Sequence, residues 1–245
     1  MLLQVLNRCQ MMAVFLHFLY FCSVFLNTAN MENISELNSV RFLPWVGKNY
    51  HERRLFGKKI LALGESFHCD SCSREECENN FKECRDFADE VVQTFLNRPE
   101  GHKSWMNTYT KFERSLIGEW TDEENRKEIW DSIAFYNYLQ YSLDSSRKAG
   151  DSDAYEKAIK PFYEVIDFIK PEAIIVWGER LWWNLPGDER WEECEEIIMD
   201  DGFKVKNGYY KLSNGNKTKV FPIPHPSSGY SWDYWHQVIK KMLQD

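Results

Sequence analysis

At 245 residues the chain is long enough for one α/β domain with a sizeable core. Aromatic residues make up 16% of it, including ten Trp, so packing and stacking surfaces are plentiful. The net charge of −8 argues against a broad nonspecific phosphate-binding surface but leaves room for a local basic groove.

Residues 1–30 carry one charged side chain, Arg8, and an apolar run from Met11 to Leu26. With Thr28-Ala29 behind it, the pattern resembles a signal peptide. The run is short for a bilayer crossing and is interrupted by His17, so no stable membrane span is expected. Met31-Glu32-Asn33 reads equally well as the start of a soluble, cytoplasmic protein, with the upstream residues a misplaced start. A genuine N-terminal segment would instead mark an exported or membrane-associated protein. Residues 31–245 read as a single domain.

Arg41-Phe42-Leu43-Pro44-Trp45-Val46-Gly47 reads as an irregular segment with an aromatic anchor beside the first strand. That strand lies in Lys58-Lys59-Ile60-Leu61-Ala62-Leu63-Gly64, where an apolar run ends at a glycine and Glu65-Ser66-Phe67-His68 follow at once. A buried parallel strand delivers functional groups to the carboxyl edge of a sheet in this way. Cys69, Cys72, Cys77 and Cys84 come next, four of the seven cysteines. A Cys-x2-Cys pair with two more thiols nearby can bind zinc or an iron–sulfur cluster, because thiolates suit soft metals. In an exported protein the same residues could form disulfides, and in the cytosol they could remain reduced thiols.

A helix is predicted from Glu83 to Leu96, with Phe87, Val91 and Phe95 on one face. Asn97 to Lys111, rich in Gly, Pro and Asn and containing His102 and Trp105, reads as a loop. Thr121-Asp122-Glu123-Glu124 reads as a capping box opening a helix toward Trp130. Ser132 to Asn137 is the second strand, and the residues around Asp144 to Asp153 form a solvated loop. A helix over Asp153 to Ile169 carries Tyr155, Ile159, Phe162 and Ile166, with a kink expected at Pro161. The third strand runs from Ala173 to Gly178. Trp191 to Met199 reads as a helix, and Phe203 to Leu212 with Asn214-Gly215 as a small hairpin. The fourth strand begins at Val220 and ends at His225-Pro226-Ser227, and Ser231 caps a final helix through Leu243.

The order of these edge motifs resembles the uracil-DNA glycosylase superfamily over roughly residues 40–245. The motifs are Gly64-Glu65-Ser66-Phe67-His68, Phe135-Tyr136-Asn137, Ile175-Val176-Trp177-Gly178 and His225-Pro226-Ser227-Ser228. The resemblance implies a three-layer α/β/α sandwich with a central four-stranded parallel sheet and the site at the strands' carboxyl ends. It also implies hydrolysis of the N-glycosidic bond of a uracil-like or damaged base, in DNA repair, with the base flipped out of the stack. The expected partner is nucleic acid, above all DNA, or a nucleobase-containing ligand, and catalysis would need no cofactor. Glu65, Ser66 and His225 are the expected catalytic residues, Phe67 and Asn137 the base-binding ones. Ser227, Ser228, Gly229 and Tyr230 would hold a phosphate or wedge the strand. Asn137 suits the edge of a uracil-like base because it offers both donors and an acceptor. Two departures stand out: Ser66 replaces the usual water-activating Asp or Asn of the first loop, and the loop lacks its Pro. Glu65 matches variants with a Gly-Glu-Ala-Pro loop. Some relatives hold a four-cysteine iron–sulfur cluster, at spacings unlike those here.

Two other functions fit parts of the pattern. Gly64-Glu65-Ser66 resembles the Gly-Asp-Ser block of SGNH esterases, with Ser66 as nucleophile, Asn137 as oxyanion donor and His225 as base. That family places Asp three residues before the His, where this chain has Pro222. The fold could also bind nucleic acid or a nucleotide without cleaving it.

Overall fold

The computed structural model describes residues 34–69, 74–79, 84–143, 148–227 and 229–244. The chain divides into Met1–Asn38 and Ser39–Asp245. Of the first unit, a 3-10 turn at Ile34–Glu36 is described. All strands and α-helices named below belong to the second. The segment read as signal-like, residues 1–30, lies outside the described residues.

In chain order the strands are β1 (Trp45–Val46), β2 (Ile60–Gly64), β3 (Ala134–Asn137), β4 (Ala173–Trp177), β5 (Trp191–Glu193), β6 (Ile197–Ile198), β7 (Lys204–Val205), β8 (Gly208–Lys211) and β9 (Lys217–Ile223). The described helices are α1 (Arg74–Asn79), α2 (Phe87–Asn97), α3 (Met106–Ile117), α4 (Glu123–Asp131), α5 (Ser152–Ile169), α6 (Glu179–Asn184) and α7 (Trp232–Gln244). Every residue of β2, β3 and β4 is buried. Strands covered on both faces need apolar side chains without alternation, which is why these segments read as continuous apolar runs.

β3, β2, β4 and β9 lie side by side and all parallel. They form the centre of a seven-stranded sheet, not a sheet of four. β1, antiparallel to β3, extends it on one side, and on the other β8 pairs antiparallel to β9 and β5 antiparallel to β8. Register sorts the side chains between the two faces. Ala62 pairs with both Phe135 and Ile175, and Gly64 pairs with Asn137, two positions further along each strand. Side chains two apart share a face, so Gly64, Phe135, Asn137, Ile175 and Trp177 share one. Tyr109 and Phe112 of α3 cover it: Phe112 lies 4.7 Å from the Trp177 ring and Tyr109 5.6 Å from Phe135. The aromatic layer of α5 packs on the opposite side, with Phe162 5.5 Å from Tyr138 and 5.3 Å from Tyr210. Helices on both faces of a mostly parallel sheet are compatible with a three-layer α/β/α arrangement.

Several local expectations are corrected. β1 pairs with β3, not with β2, and the Trp45 indole anchors it by donating to the Trp130 carbonyl at 2.9 Å. The buried stripe of α2 is Ala88, Val92 and Phe95, one position beyond the expected Phe87 and Val91 and agreeing only at Phe95. The second half of the expected 97–111 loop is the start of α3, and Gly118, at φ 76°, ends that helix. Asp122 is the N-cap of α4, closing a capping box with Asn125. Thr121 is therefore freed to donate to Glu113. The buried face of α5 uses Ala158 rather than Ile159. The helix expected over Trp191 to Met199 is absent, and β5 and β6 occupy that stretch. Trp191 is held there by the Tyr210 ring at 4.9 Å, an example of cross-strand aromatic packing overriding a helix-like pattern. The Asn214-Gly215 turn joins β8 to β9 itself, with Gly215 at φ 85°.

Candidate functional site

β2 has β3 on one side and β4 on the other, so the chain reverses its direction of travel across the sheet at β2. Loops leaving strands on the two sides of such a reversal diverge and leave a crevice at the carboxyl edge. The first loop here is held open by backbone pairing rather than by regular structure. Tyr138, Leu139 and Leu143 donate to the carbonyls of Gly64, Glu65 and Phe67 at 2.9, 2.9 and 3.0 Å. His68 and Leu143 close that pairing as an isolated bridge. Gly178, at φ 99°, turns the chain out of β4, and its N–H donates to the Ile223 carbonyl at 2.8 Å. His225 follows directly after β9, between Pro224 and Pro226. Glu65–His68, Asn137, Gly178 and His225 therefore all stand at the same edge of the sheet.

Gly64 is where this edge is tightest. A β-carbon added there would overlap Asn137 Oδ1 and lie 3.3 Å from Asn137 Cγ. The Asn137 carboxamide thus fills the space that a side chain at position 64 would take. Asn137 is only 4% exposed, and its side chain makes no hydrogen bond among the described residues. Its carboxamide atoms are not among the fully buried polar atoms without a partner, so they keep solvent contact and form an available donor–acceptor pair. Trp177 shares this face, and its indole N–H is fully buried without a partner among the described residues.

Glu65 is the most heavily engaged group at the edge. Arg180, on the first turn of α6, grips it through Nε at 2.8 and 2.9 Å and through an Nη at 2.8 Å. The Tyr155 hydroxyl of α5 donates to it at 2.6 Å. The carboxylate side chain is 10% exposed and the guanidinium 47%. The hydrogen bond to Glu65 raises the Arg180 pKa, while burial first and then Glu65 push the Tyr155 hydroxyl up. Arg180 and Tyr155 were not among the residues expected from sequence. Arg180 had a legible signal, two residues past Gly178 at a strand's carboxyl end; Tyr155 had none, since it reads as a core position of an amphipathic helix.

His225 keeps an exposed surface, yet enough protein surrounds the imidazole to lower its pKa. Burial is the largest cause, Arg180 and His68 add to it, and Glu65 opposes it. The ring meets Trp177 edge-on at 6.3 Å between centroids. The Ser66 hydroxyl makes no hydrogen bond to His225. Phe67 is buried in a cluster with Phe42, Phe87 and Phe135, at 5.3, 4.9 and 6.3 Å, so it supports the loop from beneath. Ser227 and Gly229 are exposed, and the Ser227 carbonyl accepts from the Lys111 ammonium. Tyr230 is turned inward instead of toward a ligand. It is 6% exposed, donates to the Ser115 hydroxyl at 2.9 Å and stacks on Trp235, which removes it as an intercalating wedge. Ser228 lies outside the described residues.

Of the four cysteines read as metal ligands, Cys72 also lies outside the described residues. The other three sit in different settings. Cys77 is buried and accepts from the Ser142 N–H at 3.4 Å, Cys84 is exposed at φ 59°, and Cys69 is intermediate. Among the described residues no group of three His, Cys, Asp or Glu is placed to hold a metal ion. The described sulfurs therefore do not form a ligand set. Among the described residues no helix is long and apolar enough to cross a membrane.

No family model and no curated protein matches this sequence.

Proposed function

We propose that this chain is a uracil-DNA glycosylase-like hydrolase, cleaving the N-glycosidic bond of a uracil-like or damaged base in nucleic acid. The observation that carries the reading is the Asn137 carboxamide, set over side-chain-free Gly64 at the carboxyl edge of the parallel sheet and without a hydrogen-bond partner among the described residues. Its one acceptor and two donor hydrogens complement the edge of a uracil-like base. Cleavage places negative charge on the departing base, and a donor already aimed at that charge lowers the barrier. His225 supplies that donor. Its depressed pKa keeps the imidazole neutral near pH 7, so it donates without having to give up a proton. Arg180, half exposed beside Glu65, is suited to a backbone phosphate.

One observation favours the second reading, a binding member of the fold that does not cleave. Glu65, the candidate for the sugar or the attacking water, is already held by Arg180 and Tyr155. A carboxylate already accepting these hydrogen bonds has few lone pairs left to orient a water or meet the sugar. The esterase reading lacks both the Ser66–His225 hydrogen bond and an acidic orienter at Pro222.

Single-turnover release of uracil and other modified bases from single- and double-stranded oligonucleotides is the test. The glycosylase reading expects release by the wild type and loss in Asn137→Ala and His225→Ala, with Ser66→Ala substantially active. Unchanged release in His225→Ala would remove this mechanism. Tight binding of a base-containing oligonucleotide with no release of any base would establish the binding reading instead.

A further inference from the structure

We propose that the amino edge of the sheet carries a second site, which binds a phosphate-sized anion. It lies at the opposite end of the strands from the crevice, about 16 Å away along the five residues of β2. There a cleft is lined by Arg53, Lys59, Lys170 and Lys217, with the carboxamides of Asn214 and Asn216 and a single carboxylate, Glu172. That carboxylate is occupied: it accepts from Arg53 Nε at 2.7 Å and from the Lys59 backbone N–H at 2.9 Å. Lys217 is also partnered, by Glu192 at 2.6 Å. The ammonium groups of Lys59 and Lys170 enter no ion pair among the described residues.

In a chain of net charge −8, four cations around one engaged carboxylate run against the global balance. Burial is the main reason the Lys59 pKa is lowered; Glu172 opposes it, and Arg53 and Lys170 add smaller contributions in the same direction as burial. Burial first, then Lys59 and Arg53, lower that of neighbouring His51. Two of the four cations lining the cleft, Lys59 and Lys170, have no ion pair among the described residues, and an anion between them would supply the missing counter-charge. The named lining is polar apart from Pro171 and Leu212, which disfavours an apolar ligand. Ammonium donors in an open, mainly polar cleft of about 380 Å³ suit a tetrahedral dianion, either free phosphate or the phosphate of a small monoester.

Isothermal titration of the full chain with sodium phosphate, against sodium chloride at matched ionic strength, tests the assignment. We expect saturable phosphate binding that the Lys59→Gln/Lys170→Gln double variant weakens at least tenfold. Lys160→Gln/Lys240→Gln, which removes two charges elsewhere, should leave it unchanged. Titration with glycerol 3-phosphate separates the two sources: equal affinity points to the free ion, tighter binding to an ester. The His51 imidazole, followed by NMR, should titrate at higher pH when phosphate is bound, a response that does not depend on the variants. No saturable binding, the same affinity in the Lys59/Lys170 variant, or an equal response to chloride would overturn the proposal. Asn137→Ala should bind phosphate normally, so failure here is separable from failure of the glycosylase reading.

Discussion

Gly64→Ala tests the geometry of the crevice without assuming any activity. The new β-carbon would overlap Asn137 Oδ1 and lie 3.3 Å from its Cγ, whereas its 3.5 Å approach to Phe135 Cε2 is ordinary contact. One side-chain group therefore accounts for the clash. Overpacking of this kind costs about 1–3 kcal/mol, and because the backbone on both sides is paired into the sheet we expect about 2 kcal/mol. Asn137→Ala alone should cost about 1 kcal/mol, since its carboxamide has no hydrogen bond among the described residues to lose. In the Asn137→Ala background the obstructing atoms are gone, and Gly64→Ala should then cost less than about 0.5 kcal/mol. The cycle should yield a coupling of about 1.5 kcal/mol. Urea unfolding followed by Trp fluorescence measures all four proteins, with constant m-values as the check on two-state behaviour. Additivity within about 0.5 kcal/mol would show that the carboxamide does not occupy the space over Gly64.

Other outcomes follow from the same contacts. Glu113 is fully buried, with Arg126 at 3.1 Å, the Trp130 indole at 3.0 Å and the Thr121 hydroxyl on its carboxylate. Glu113→Ala leaves the buried Arg126 unpaired and should destabilise by about 3–5 kcal/mol in urea unfolding; a loss below about 1 kcal/mol would show that the network is not holding α3 to α4. Burial lowers the His225 pKa below its ordinary value of about 6.5, so between the two values the unfolded chain binds the proton more readily. This contribution to stability is intact above pH 6.5 and is lost as the pH falls through the folded pKa. His225→Gln should therefore flatten the stability profile on the acid side of pH 6.5, and identical profiles would exclude the shift. If the chain releases bases, Glu65→Gln and Arg180→Gln separate two roles in single-turnover assays. Equal losses mean that Glu65 braces Arg180, while a much larger loss in Glu65→Gln means that its carboxylate acts on sugar or water. Elemental analysis of protein purified without oxidants tests whether Cys69, Cys72, Cys77 and Cys84 hold zinc or iron: about one equivalent supports a metal site there, and less than about half an equivalent would count against it, as structural sites bind tightly.

Three of the four parallel strands were legible because burial on both faces demands uninterrupted apolar runs, and Ile60–Gly64, Ala134–Asn137 and Ala173–Trp177 contain almost nothing else, whereas β9 was legible only from Val220 onward. Their ends were legible too, since a polar residue placed directly after such a run must emerge at the sheet edge. Only tertiary structure decided the rest. Trp191 to Met199 has apolar positions that suit a helix, but the Tyr210 ring draws Trp191 into a strand. Thr121 and Asp122 compete for one helix start, and buried Glu113, on the preceding helix α3, claims the Thr121 hydroxyl. Tyr230 looks free in a loop after Ser227, but Ser115 and Trp235 bury it. Glu65 reads as an available carboxylate in sequence. In the folded chain it is held by an arginine 115 positions and a tyrosine 90 positions away. A local pattern records what each residue offers to its neighbours in sequence; which of those offers is taken up depends on partners that only chain reversal across the sheet brings within hydrogen-bonding distance.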